Sequence, residues 1–170
     1  MVIEATAVLG LDVRSSRGTL LGSVQRLVFD NRHAGLVACV CKRSSIASRK
    51  KKYLLYTDIL SLDRRAAFVD GETALQEPQK ELEEIGHRTG PVLGVNARTE
   101  SGAPLGRVCD VIFDSSSGII VRFALRKLFN ERLIPQQFLV AITPENVVFK
   151  DSVNTPTFDQ VAVLENVSAA

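Results

Sequence analysis

Short apolar stretches separated by polar turns run along most of the chain. Leu11 to Arg14 predicts a strand, and Ser15-Ser16-Arg17-Gly18 a turn with glycine in the position that wants positive φ. Thr19 to Asp30 predicts a longer strand carrying Gly22, where a bulge or a close backbone approach is expected. Asn31 to Gly35 turns the chain again, and Leu36 to Cys41 is β-rich and apolar enough for a central position. Beyond a basic segment come strands at Tyr53 to Tyr56, Ile59 to Leu62 and Ala66 to Asp70, with Asp63-Arg64-Arg65 as a tight turn. Short strands at this spacing predict a small closed β-barrel, and closure would remove the exposed edges of a small sheet.

The pattern then recurs. An offset of 84 residues sets Leu9-Gly10 on Leu93-Gly94, Arg14 on Arg98 and Gly18 on Gly102. It also sets Leu21-Gly22 on Leu105-Gly106, Val24 on Val108 and Phe29-Asp30 on Phe113-Asp114. Dropping one residue then aligns Gly35 with Gly118 and Leu36-Val37-Ala38 with Ile119-Ile120-Val121. Further on, Phe68-Val69-Asp70 pairs with Phe149-Lys150-Asp151. Glycines and turn residues in phase mark a tandem duplication. Two units are too few for a solenoid, so each copy closes its own core or the two share one. Between them, Glu72 to Gly90 is the clearest helical segment. Pro78 suits its first turn, acidic residues gather around its start, Leu82 and Ile85 can share a packing face, and Gly86 supplies a stop.

The arrangement Leu-Gly-x-x-Val-x-x-x-x-Gly-x-x-x-Gly-x-Val, followed by an apolar strand ending in Phe-Asp and a turn with glycine, resembles the PRC-barrel family. It is present in Leu9 to Gly35 and again in Leu93 to Gly118, with Ala97 where Val13 stands in the first copy. Leu55 to Leu62 resembles the family's strand and turn before its last hairpin, and Ile134 to Phe138, with Pro135, is the second copy's equivalent. The resemblance implies a mainly β fold of two tandem small PRC-type β-barrels joined by a short acidic helical linker. Residues 1–75 would form the first copy, 76–90 the linker, and 91–170 the second copy with a C-terminal tail. The family includes the cytoplasmic part of the photosynthetic reaction centre H subunit and the C-terminal half of the ribosome maturation factor RimM. What it implies is binding to other macromolecules, without catalytic residues to carry over.

Composition agrees with a globular protein: of 170 residues, 45% are hydrophobic and 24% charged, enough for a core and a solvated surface. Lys and Arg number 21 against 19 Asp and Glu, so the net charge of +2 is too small to imply nucleic-acid binding by bulk charge. The longest apolar stretches, such as Gly35 to Cys41, fall far short of the ~20 residues of a membrane span. Met1 to Gly10 has no basic start and is interrupted by Glu4, so no signal peptide is expected. Cys39, Cys41 and Cys109 make no disulfide framework. The first two would share a strand face as buried apolar groups, and the reducing cytoplasm is the expected compartment.

No nucleophile elbow, phosphate loop or dinucleotide motif occurs in the sequence, and the expectation is a protein that is not an enzyme, with no metal or cofactor site. His33 and His87 are expected at the surface, and Asp30 and Asp114 as turn caps. The feature beyond the barrel plan is a basic run, Lys42, Arg43, Arg49, Lys50, Lys51 and Lys52, expected in a mobile loop as a candidate polyanion-binding site. If all six charges met duplex phosphates, affinity would fall against log salt with a slope of about −5. The function expected first is a non-enzymatic binding or scaffold protein that docks a cytoplasmic protein partner. Leu128 and Phe129 would serve as a contact point or else belong to the core. An RNA- or ribosome-associated factor using residues 42–52 is the alternative, and peripheral association with an anionic membrane surface the second. Whether two chains pair as a homodimer stays open. The last segment, Phe158 to Ala170, carries Val161, Val163 and Leu164 and is expected to dock on a barrel as strand or helix.

Overall fold

The computed structural model describes residues 1–44 and 50–154. An opening strand β1 (Val2–Glu4) and a single helical turn α1 (Ala5–Val8) lead into β2 (Asp12–Ser15), β3 (Leu20–Asp30), β4 (Gly35–Arg43), β5 (Lys51–Leu55), β6 (Ile59–Leu62), β7 (Ala66–Val69) and β8 (Leu75–Gln76). Helix α2 (Lys80–Thr89) follows. The chain continues through β9 (Asn96–Thr99), β10 (Pro104–Asp114), β11 (Ile120–Lys127), β12 (Asn130–Pro135), β13 (Leu139–Ile142) and β14 (Asn146–Phe149). The fold is mainly β, and the strands expected from the first copy all form. Asp63 closes its tight turn as expected, its Oδ1 accepting the Arg65 and Ala66 N–H groups at 2.7 and 3.1 Å.

Two seven-stranded sheets result. The first runs β6-β7-β2-β3-β4-β5-β8, and the second β13-β14-β9-β10-β11-β12, with β1 added along β10. Six strands follow the same order in both sheets, down to the parallel pairs β2–β7 and β9–β14 in otherwise antiparallel sheets, while the seventh differs: β8 lies along β5 in the first and β1 along β10 in the second. Among the described residues, no strand pairing closes either ladder into a barrel. The chain leaves β5 and β12 through 3-10 turns at Tyr56–Asp58 and Gln136–Phe138, and these interrupt the ladder where closure would come. Bulges curve the sheets instead. The long strand β3 shifts register between Val24 and Arg26 and between Val28 and Phe29, and β10 does so at the equivalent places.

The pairings also correct the alignment of the two copies. Phe29 faces Leu36 and Val28 faces Ala38, while Phe113 faces Ile120 and Ile112 faces Arg122. The offset of 84 therefore holds without a gap through β4 and β11, and the Gly35–Gly118 identity is out of register. The true counterpart of Gly118 (φ +75°) is Ala34, which holds φ +43° without being glycine. From β5 and β12 onward the offset is 80, because Leu54 faces Cys39 as Ile134 faces Phe123. Four residues are extra in the first copy, all in the β4–β5 connection. Gly22 and Gly106 are placed alike: a Cβ would lie 2.3 Å from the Lys42 carbonyl oxygen at the first and 2.5 Å from that of Arg126 at the second. The close approach expected at Gly22 is present in both copies.

Of the two ways to bury a core, the chain shares one. A contiguous buried cluster runs from Ile3 and Val8 through Phe29, Leu54 and Tyr56 to Phe113, Phe123 and Val153. Tyr56 meets Phe113 edge to face at 6.3 Å, and its hydroxyl donates to the Ser115 carbonyl at 2.9 Å. A smaller cluster, Val28, Ala38, Val40 and Tyr53, lies under Leu82 and Ile85 of α2, which covers the outer face of the first sheet. The linker helix thus forms and packs as expected, with two differences. Pro78 precedes its first turn, and Gly86 sits buried inside it, close to Arg26 and Val28; the stop is Gly90, at φ +62°. No helix among the described residues is long and apolar enough to cross a membrane.

Candidate functional site

The two copies differ most at one equivalent place, the β4–β5 hairpin of the first and the β11–β12 hairpin of the second. The basic run belongs to the first, and it is less of a loop than the sequence suggested. Lys42 and Arg43 end β4, while Lys51 and Lys52 begin β5; Arg49 lies outside the described residues. Strand alternation then divides the charges between two environments.

Lys52 faces Cys41 in the ladder and is only 9% exposed, with its stem laid along the sheet and its ammonium bonded to Glu77. The Arg43 guanidinium pairs with Glu72 at 2.8 Å. The hydrogen bond from Lys52, aided by the charges of Lys52, Lys50 and Arg43, holds the Glu77 carboxyl below its ordinary range. These two cations therefore fasten the hairpin to the segment that leads into α2. Lys42 and Lys51 behave differently. They sit directly opposite each other across the ladder, both exposed, with no ion-pair partner among the described residues. Like charges at such a position cost stability. In the second copy the same two positions hold Arg126 and Glu131, which pair at 3.4 Å. Among the five described residues of the run, Lys42, Lys50 and Lys51 are thus the ones left exposed and without an ion-pair partner there.

The second hairpin is apolar at its tip. Lys127 and Asn130 close the ladder, leaving Leu128 and Phe129 as a two-residue connection. Leu128 is 86% exposed and Phe129 102%, so the choice between core and contact point falls to the surface. Leu128 also holds φ +55°, at the first central position of a tight hairpin turn, where glycine is the favoured residue. A branched, fully solvated leucine there is disfavoured both by conformation and by hydration. Beside the tip, a cavity of about 430 Å³ is lined by Pro104, Leu105, Leu125, Leu128 and Arg132, among others.

The remaining singled-out residues have structural work. Asp114 Oδ1 accepts the N–H groups of Ser116 and Ser117 at 2.9 and 3.0 Å, the turn cap expected of it, and its other oxygen meets the N-terminal ammonium at 3.2 Å. Asp30 is buried, bonded to His33 Nδ1 at 2.8 Å and to Arg88 of α2 at 3.3 Å. Burial pushes its carboxyl up. The His33 hydrogen bond, the Arg32 N–H and the charges of His33 and Arg88 more than offset this, leaving it below its ordinary value. Cys39 and Cys41 both belong to the core, and burial pushes both thiols up, that of Cys41 to about 12. Such thiols stay protonated and are poor nucleophiles or metal ligands at neutral pH.

Sequence reasoning missed the splitting of the basic run because its partners, Glu72 and Glu77, lie more than twenty residues downstream. The signal that could have found the apolar tip was the four-residue shortening of the second hairpin, which leaves no room for a flexible loop around Leu128 and Phe129. Neither a protein-family model nor a curated protein matches the chain.

Proposed function

We propose that the chain is a non-enzymatic docking protein: a duplicated PRC-type fold whose two hairpins are its contact elements, the second of which engages a protein partner through Leu128 and Phe129. The PRC-type reading rests on the repeated motif, and the strand order common to the two sheets supports it. The observation that carries the function is the pair of solvated apolar side chains on a turn whose geometry favours glycine. A position that breaks local turn chemistry, with its side chains exposed among the described residues, is where binding is expected. Lys127 and Arg132 flank the tip, while Arg126 is neutralised by Glu131, so the partner surface that fits it is an apolar pocket with acidic groups at its rim.

The test replaces Leu128 by Gly and Phe129 by Ser together. The variant should be more stable than the parent by about 1 kcal/mol, because a strained φ is relieved. It should also lose the protein that the tagged parent retains from native lysate after nuclease and detergent. Retention of the same partner by the variant contradicts the proposal.

A second reading, association with a polyanion such as RNA, is favoured by the facing pair Lys42 and Lys51. With Lys50 they supply three exposed charges and Arg49 a fourth in the run, so binding to duplex phosphates should fall against log salt with a slope of about −3 to −4, shallower than the −5 of all six. Sedimentation of the tagged protein that ignores both ribonuclease and salt removes this reading. An anionic membrane surface would use the same three lysines, and flotation with anionic vesicles separates it from RNA.

A further inference from the structure

Leu128 and Phe129 are solvated among the described residues, and the structure itself carries a surface of the kind that fits them. Between the first two turns of α2, the beginning of β4 and the end of β5 lies a cleft of about 590 Å³, within the range of about 300–1,000 Å³ usual for ligand pockets. Its apolar lining includes Val37, Leu55, Leu82 and Ile85 from the first repeat and linker, and Ile119 from the turn between β10 and β11. Val37, Leu55 and Ile85 are only half-buried, and Ile119 is 52% exposed. Glu81 of α2 lines the same cleft, with His33 at its side, and no Lys or Arg does so among the described residues. Arg32 and Arg88 face an adjoining cavity together with Asp30 and Glu84, and Arg88 is paired there with Asp30.

We propose that the Leu128–Phe129 finger of one molecule docks into this cleft on a second copy of the chain. The inference rests on the reading of the finger as a contact element and names its partner. Polarity and charge both agree with this occupant. The apolar tip is taken out of water, and Val37, Leu55, Ile85 and Ile119 gain cover from the same contact. Lys127, which closes the ladder behind the tip, brings a cation where the cleft offers Glu81. The other way for two fingers to be covered is tip to tip about a two-fold axis. That brings Lys127 and Arg132 of both molecules together, and like charges across an interface disfavour it. Finger and cleft are different patches of the surface, so the contact is head-to-tail and continues into a file of molecules unless the rotation closes a ring.

Sedimentation of the purified full chain over a concentration series tests this. The parent should grow beyond a dimer as its concentration rises, while Phe129→Ser and Ile119→Asp should each self-associate at least about tenfold more weakly. Mixed in equal amounts, the two variants should form a one-to-one complex that grows no further, because one supplies the intact cleft and the other the intact finger. Should Ile119→Asp fail to fold, Glu81→Lys, an exposed change on α2, takes its place. A parent that stays monomeric up to about 1 mM overturns the proposal, and the docking reading is then decided by retention from lysate alone. The segment Phe158 to Ala170 lies outside the described residues, and a cleft filled by it would give that monomeric result. Cleft variants that self-associate like the parent also overturn the proposal, since tip-to-tip contact gives that outcome, as does a mixture whose members stay apart.

Discussion

Phe29 and Phe113 meet edge to face at the centre of the protein, with ring centroids 6.5 Å apart and planes at 75°. They are the same residue of the two repeats. Contact between equivalent residues is what a two-fold axis produces in a symmetric dimer. The backbone obeys the same relation. The Leu36 N–H donates to the Gly118 carbonyl and the Ile120 N–H to the Ala34 carbonyl, each at 2.9 Å, and the two bonds exchange under the 84-residue offset. One covalent chain has the internal architecture of a pair.

Truncation at this contact should be felt throughout. Phe29→Ala and Phe113→Ala each remove a fully buried ring and are expected to cost about 3–5 kcal/mol. Urea unfolding followed by circular dichroism and by tyrosine fluorescence should give coincident single transitions in the parent protein, since the core is contiguous. Separate transitions for the two probes would contradict a shared core.

The seam also makes an asymmetric prediction at Gly118 and Ala34. A Cβ at Gly118 would meet the Leu36 carbonyl oxygen at 2.8 Å and the Tyr56 ring at 2.9 Å, at a φ that already disfavours it. Gly118→Ala is expected to lose about 1–3 kcal/mol. Ala34→Gly should change stability by less than about 1 kcal/mol, because relief of φ is offset by a freer unfolded chain. Thermal melts of the two single variants check the difference.

Lys51→Glu would recreate opposite Lys42 the ion pair that Arg126 and Glu131 make in the second copy. A gain of about 0.2–1 kcal/mol is expected, with weaker retention on a phosphate-bearing polymer. A variant that gains stability and keeps its retention would show that these lysines contact no phosphate.

Asp30 links stability to acid. Its folded pKa lies below its ordinary value, so its contribution is complete above the unfolded value of about 4 and fades as pH falls through the folded one. Asp30→Asn should therefore be less stable than the parent at pH 7, and the gap should narrow toward pH 3. Urea midpoints of both proteins at the two pH values provide the check.

The strands were legible because alternation and turn chemistry are local: Leu36 to Cys41 and Ala66 to Asp70 declare themselves without reference to anything distant. The duplication was legible through turn residues, and they misled at one point. Gly35 and Gly118 look like partners, yet backbone pairing, not residue identity, fixes the register, and an alanine meets the same φ. The shared core was not legible, because Phe29 and Phe113 each look like an ordinary interior residue of a self-contained unit. In the candidate site, the six basic residues look uniform in sequence. Only the alternation of β4 and β5, with two distant glutamates, separates Arg43 and Lys52, which hold the hairpin, from the lysines that face water.

Fusion of the two repeats has a consequence for what they can present. A dimer of identical chains must carry the same hairpin twice, so any change that suits one end is imposed on the other. Here the axis through Phe29 and Phe113 relates positions that are free to differ, and the hairpins have done so, into a lysine-bearing finger and an apolar one. Covalent linkage has turned a symmetric frame into a polar one, with two distinguishable ends.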